Sequence, residues 1–95
     1  MGKRTIERKL RQTSARLREL RDELVVIDAQ LAHLSDEADD LAIRALVSET
    51  SGAGTEHRHA QAHAEAMSGH RERVVTLIAD LERRQDELLD ALSAS

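Results

Sequence analysis

Through the first half of the chain, seam positions recur at Ile6, Leu10, Thr13, Leu17, Leu20, Leu24, Ile27, Leu31, Leu34, Ala38, Leu41 and Ala45. All but Thr13 are apolar, and after the first step the gaps alternate three, four, three, four without a slip. That is the seven-residue repeat of a coiled-coil seam, in which positions a and d face a partner helix. With Leu10 at position a, the d positions are Thr13, Leu20, Ile27, Leu34 and Leu41. The spacing predicts a first helix over about residues 4–48, roughly 65 Å long at 1.5 Å per residue.

Glu49-Thr50-Ser51-Gly52-Ala53-Gly54-Thr55 follows, and two glycines among Ser and Thr are the strongest punctuation in the chain. A connection over about 49–55 is expected. Gly52 would end the first helix in a left-handed conformation and Thr55 would cap the next. A second helix over about 56–93 carries its own seam: Ala60, Ala64, Met67, Arg71, Val74, Ile78, Leu81, Gln85, Leu88 and Leu92. Arg71 and Gln85 are polar there. Ser68-Gly69 is a soft spot costing about 1 kcal/mol relative to Ala.

Two helices with a short connection are usually antiparallel neighbours. A turn centred near Gly52–Ala53 would set Leu17 opposite Leu88, Leu24 opposite Leu81, Ile27 opposite Ile78 and Leu31 opposite Val74. Nearer the tip, Ala38 would meet Met67, Leu41 would meet Ala64, and Ala45 would meet Ala60. The expected fold is thus all-α, an antiparallel two-helix coiled-coil hairpin forming a single domain over 1–95. One narrow seam must offset the ordering of the whole chain. Val25, Val26, Val75, Leu77 and Leu89 are read as a second apolar stripe outside that seam. They are the expected partner-binding residues, through which the hairpin would form a homodimer with the outline of a four-helix bundle.

Composition narrows the function. The chain has 95 residues, no Pro, no Cys and no aromatic residue other than five His. Without Cys there is no disulfide framework, thiolate zinc site, Fe–S cluster or Cys nucleophile. The longest apolar run is Leu24 to Ile27, far short of the roughly 20 residues that span a bilayer. No membrane association is expected, no secretory signal is read at the N-terminus, and the expected location is cytoplasmic. Net charge is −4, but it is unevenly spread. Residues 1–21 hold eight Lys and Arg against Glu7 and Glu19, whereas residues 80–95 hold five acids against Arg83 and Arg84. Lys9 and Arg16 fall at position g, where ion pairs across the seam help set partner and direction.

Three features are candidates for function. The first is the histidines. His59 and His63 share a helical face at i, i+4, as metal-binding pairs do, and His70 lies one heptad beyond His63. Asp36, Glu37, Asp39 and Asp40 occupy the facing part of the first helix. No Glu sits between the pair in the His-Glu-x-x-His manner, so the expected reading is a solvated His-rich tip without a bound metal or other cofactor. The second is Arg4, Arg8, Arg11 and Arg18, at positions b and f, pointing away from the partner helix. They crowd a helix N-terminus, where the macrodipole prefers acids, and are placed to meet phosphates or an acidic protein surface. With no Phe, Tyr or Trp for base stacking, sequence reading of a single strand is not expected. The third is the tip, where Glu49 and Glu56 bracket the glycines. In outline alone this resembles the acid-bearing hairpin tips of the Gre and DksA factors, which enter the secondary channel of RNA polymerase. Their Cys zinc site has no counterpart here.

Nothing in the sequence resembles a nucleophile–base pair, a phosphate loop or a carboxylate pair in a cleft. No enzyme activity and no small-molecule substrate are expected. The sequence therefore points to a non-enzymatic protein–protein interaction module or small regulatory adaptor. The alternative is a transcription-, ribosome- or nucleoid-associated factor docking through the arginines of the first helix.

Overall fold

The computed structural model describes every residue except Met1 and Glu49, with Ser51 described by its backbone alone. Among the described residues there are two helices and no strand: α1, Lys3–Val47, and α2, Ser51–Ala94. The chain is an all-α helical hairpin, and its helices are joined through residues 48–50. It divides into two units, one of Met1–Leu24 with Arg73–Ser95, the other of Val25–Glu72.

The helices form where the sequence offers no breaker and a regular face to bury. In α1 the hydrogen-bond ladder opens with the Ile6 amide donating to the Gly2 carbonyl at 3.1 Å, and it overruns Val47 with Ser48 donating to Arg44 at 2.9 Å. Ser48 then holds the turn: its Oγ accepts from the Thr50 amide at 3.2 Å and lies 2.9 Å from Thr50 Oγ1. Ser and Thr favour turns by such local bonds. α2 passes through Ser68–Gly69 without a break.

The connection is shorter than the sequence suggested. Residues 51–55, expected in the loop, are the first turn of α2. The described glycines include none with positive φ, so Gly52 does not end α1 in a left-handed conformation. Thr55 does not cap a helix beginning at 56. It lies inside α2, where its Oγ1 accepts from Arg58 Nη2 at 3.1 Å. The physical reason is visible in the spacing. Ala53 and His57 precede Ala60 by seven and three residues, so the seam continues back to Ala53 unbroken. Both side chains are half-buried. Burial at the seam outweighs the weak helix propensity of two glycines.

Every expected seam residue of α1 and α2 is buried or half-buried. Leu17 and Leu20 are the most enclosed, at 0% and 1% exposure. The register, however, differs from the expected one by a single heptad. In the first unit, Gln85 Nε2 donates to Ser14 Oγ at 3.0 Å, and Arg21 lies 4.0 Å from Glu82. In the second, Arg71 Nε donates to Asp28 Oδ1 at 2.5 Å. These pairs set Leu17 opposite Leu81, Leu20 opposite Ile78 and Leu24 opposite Val74. Leu31 meets Met67, Ala38 meets Ala60, and Ala45 meets Ala53.

The heptad makes the two registers equally good for most apolar pairs. The polar residues separate them. In the observed register Thr13, buried at 9% exposure, shares its layer with Gln85. Arg71 lies opposite Ile27 and reaches the neighbouring Asp28. In the expected register Gln85 would meet Leu20 and Arg71 would meet Leu34. Burying those polar groups against leucine without a partner costs about 1–3 kcal/mol each.

Two predictions test this. A Cβ at Gly52 meets nothing within 4 Å, and one at Gly54 lies 3.4 Å from the flexible end of Arg58. G52A and G54A are therefore expected to stabilise the hairpin by about 0.5–1 kcal/mol each in urea denaturation. A loss of stability would mean that these glycines serve a turn. A double-mutant cycle on S14A and Q85A is expected to show coupling of about 1 kcal/mol. Additive effects would contradict the register.

Candidate interaction surfaces

The His-rich part of α2 borders two clefts within the second unit. One, of about 380 Å³, is lined by Glu37, Leu41, Glu56, His59, Ala60 and His63. The other, of about 240 Å³, is lined by Gln30, His33, Leu34, His63 and Met67. The structure thus brings His59 and His63 to one place with Glu37 and Glu56. His70 sits one heptad along α2 and lines neither cleft. Among the described residues no three His, Asp or Glu side chains are placed to hold a metal ion together. His57, absent from the expected seam, occupies a seam position opposite Leu41. Its Nδ1 is buried without a hydrogen-bond partner. Its signal in the sequence was the spacing to Ala60. Of the two acids expected to bracket the tip, Glu56 lines the larger cleft, whereas Glu49 lies outside the described residues.

Arg4, Arg8, Arg11 and Arg18 are all exposed on α1. The first turn of α1 has no acid and the last turn of α2 has no base, although Arg44 lies in the last turn of α1, so the start of α1 and the end of α2 leave their dipole ends uncompensated. Pairing between the basic and acidic ends is slight. Arg21–Glu82 joins the helices at 4.0 Å with both side chains more than half exposed. Such pairs contribute little. Arg16, expected to flank the seam, instead pairs within α1 to Glu19 at 3.1 Å. Arg83 pairs with Asp80 and Arg84 with Glu87, also within one helix. Arg4, Arg8, Arg11 and Arg18 form no ion pair among the described residues.

The five apolar residues expected to bind a partner fall into two groups. Val25 and Val26, at 70% and 55% exposure, lie at positions b and c of α1, in the second unit. Val75, Leu77 and Leu89 belong to the first unit at 39%, 46% and 46%. In the α2 heptad Val75 and Leu89 flank the seam on the side of Glu82, and Leu77 flanks it on the other. The five are therefore not one stripe. The most exposed apolar cluster was not singled out from the sequence at all: Ile43, Leu46 and Val47, at 60%, 86% and 80%. Their i, i+3, i+4 spacing puts them on one outward face of α1. That spacing was the signal. It was overlooked because these residues fall between the regular seam and the glycines.

No helix of the described residues is long and apolar enough to cross a membrane. No protein-family model matches the chain, and no curated protein or solved structure is significantly similar to it. The class the fold defines is an all-α two-helix hairpin, and its surfaces alone carry the functional reading.

One prediction belongs to the clefts. With only His59 and His63 offering imidazoles at one cleft, added zinc is expected to leave the melting temperature unchanged. A rise that disappears in H59A would show a metal site there.

Proposed function

We propose that the chain is a non-enzymatic protein–protein interaction module, a small regulatory adaptor of the cytoplasm that self-associates through outward apolar side chains. The observation that carries this reading is the exposure of Ile43, Leu46 and Val47. Single exposed hydrophobes are ordinary, but a cluster on one helix face in a chain with so small a core favours a covering partner. A two-fold dimer with the outline of a four-helix bundle is the simplest form of that association. Val25 and Val26 lie on the same helix and add to its apolar outward surface.

A second reading has its own support. Among the described residues Arg4, Arg8, Arg11 and Arg18 form no ion pair, which suits docking on phosphates in a transcription-, ribosome- or nucleoid-associated factor. A polyanion separates the two, because salt-sensitive binding to heparin belongs to phosphate docking whereas self-association needs no polyanion.

The test of the first reading is sedimentation velocity at micromolar concentration. The wild-type chain is expected to associate, and I43S/L46S/V47S to sediment as a monomer with unchanged helix content. A wild-type chain that is a stably folded monomer across the range would overturn it.

A further inference from the structure

The outward residues of α1 carry opposite character in the two units. In the first unit, Arg4, Arg8 and Arg11 are exposed and form no ion pair among the described residues. In the second, Asp36, Asp39 and Asp40 are exposed, and they lead directly into the exposed Ile43, Leu46 and Val47. The acids form no ion pair among the described residues either. Two helix faces are thus left unneutralised, one cationic and the other anionic with an apolar end.

We propose that the arginine face of one copy docks on the aspartate and apolar face of a second copy, with the two α1 helices antiparallel. The inference rests on the reading that this chain self-associates, and it names the surfaces that meet. The spacing supports it. Arg4, Arg8 and Arg11 follow one another by four and three residues, and Leu46, Ile43 and Asp39 run back by three and four. Laid antiparallel, Arg11 comes level with Asp39 and Asp40, Arg8 with Ile43, and Arg4 with Leu46 and Val47. The aliphatic stems of Arg8 and Arg4 cover the apolar cluster while their guanidinium groups stay in water. The direction follows from the dipole: the basic start of one α1 lies at the C-terminal end of the other, where cations are favoured. Charge complementarity of this kind fixes register and excludes the wrong pairing.

The test is a charge swap between copies. R4E/R8E/R11E and D36R/D39R/D40R are made separately, and circular dichroism checks that each stays helical. The residues are all exposed, but R4Q/R8Q/R11Q and D36N/D39N/D40N stand in if a reversal unfolds the chain. By sedimentation velocity, each reversal alone is expected to weaken association about tenfold or more. An equimolar mixture of the two restores it, because each variant's reversed face then meets the other's. Replacing charge with Gln or Asn weakens association by a smaller factor, and raising salt weakens wild-type association.

Reversal variants that associate as wild type does, or a mixture that stays monomeric while the wild type associates, overturn the proposal and leave self-association standing. A wild type that is monomeric throughout overturns both. Loss of heparin or RNA binding in R4E/R8E/R11E with unchanged association also overturns it, and assigns the arginines to nucleic acid.

Discussion

A seam that repeats every seven residues leaves a hairpin free to slide by one heptad with little change in apolar burial. In this chain Thr13, Arg71 and Gln85 remove that freedom. Gln85 donates to Ser14 beside the buried Thr13, and Arg71 reaches Asp28. Gln85 and Arg71 each have an acceptor in the observed register and would face leucine one heptad away. The net strength of these bonds is modest, because water competes for the same groups. Their value lies in what the alternative would leave unpaired. A single polar residue in a coiled-coil seam commonly sets register at some expense of stability.

The register then decides where the turn falls and which faces remain outside. Shifting the pairing by one heptad moves the turn toward the start of the chain and draws Ala53 and His57 into the seam. Ser51–Thr55 therefore become helical, and the glycines sit in the first turn of α2. With positions a and d occupied by packing, the b, c and f positions of α1 remain in solvent. There lie the arginines of the first unit and the aspartates and apolar cluster of the second. None of these groups serves the seam, which is why the functional reading rests on them.

Much of this was legible in the sequence. The uninterrupted three–four spacing showed two helices and their buried residues, and the short connection between them pointed to antiparallel packing. The helix boundary was not legible from local signals, because glycines and hydroxyl residues read as a loop until tertiary burial is weighed against them. The register was legible in principle. Apolar pairs alone cannot choose between two offsets one heptad apart, but the match of Thr13 with Gln85 does choose. Among the surfaces, the exposed arginines stood where the heptad placed them. The five outlying apolar residues read as one stripe, whereas their heptad positions put them on different flanks. Ile43, Leu46 and Val47 are hard to single out from sequence because they lie between the regular seam and a glycine-bearing segment that reads as a loop.

The account depends most on the register, and methyl–methyl nuclear Overhauser contacts in a selectively labelled chain test it directly. Contacts from Leu17 to Leu81 and from Leu24 to Val74 are the predicted result. Contacts from Leu17 to Leu88 and from Leu24 to Leu81 would contradict it, returning residues 51–55 to the loop and Gln85 to a layer with Leu20.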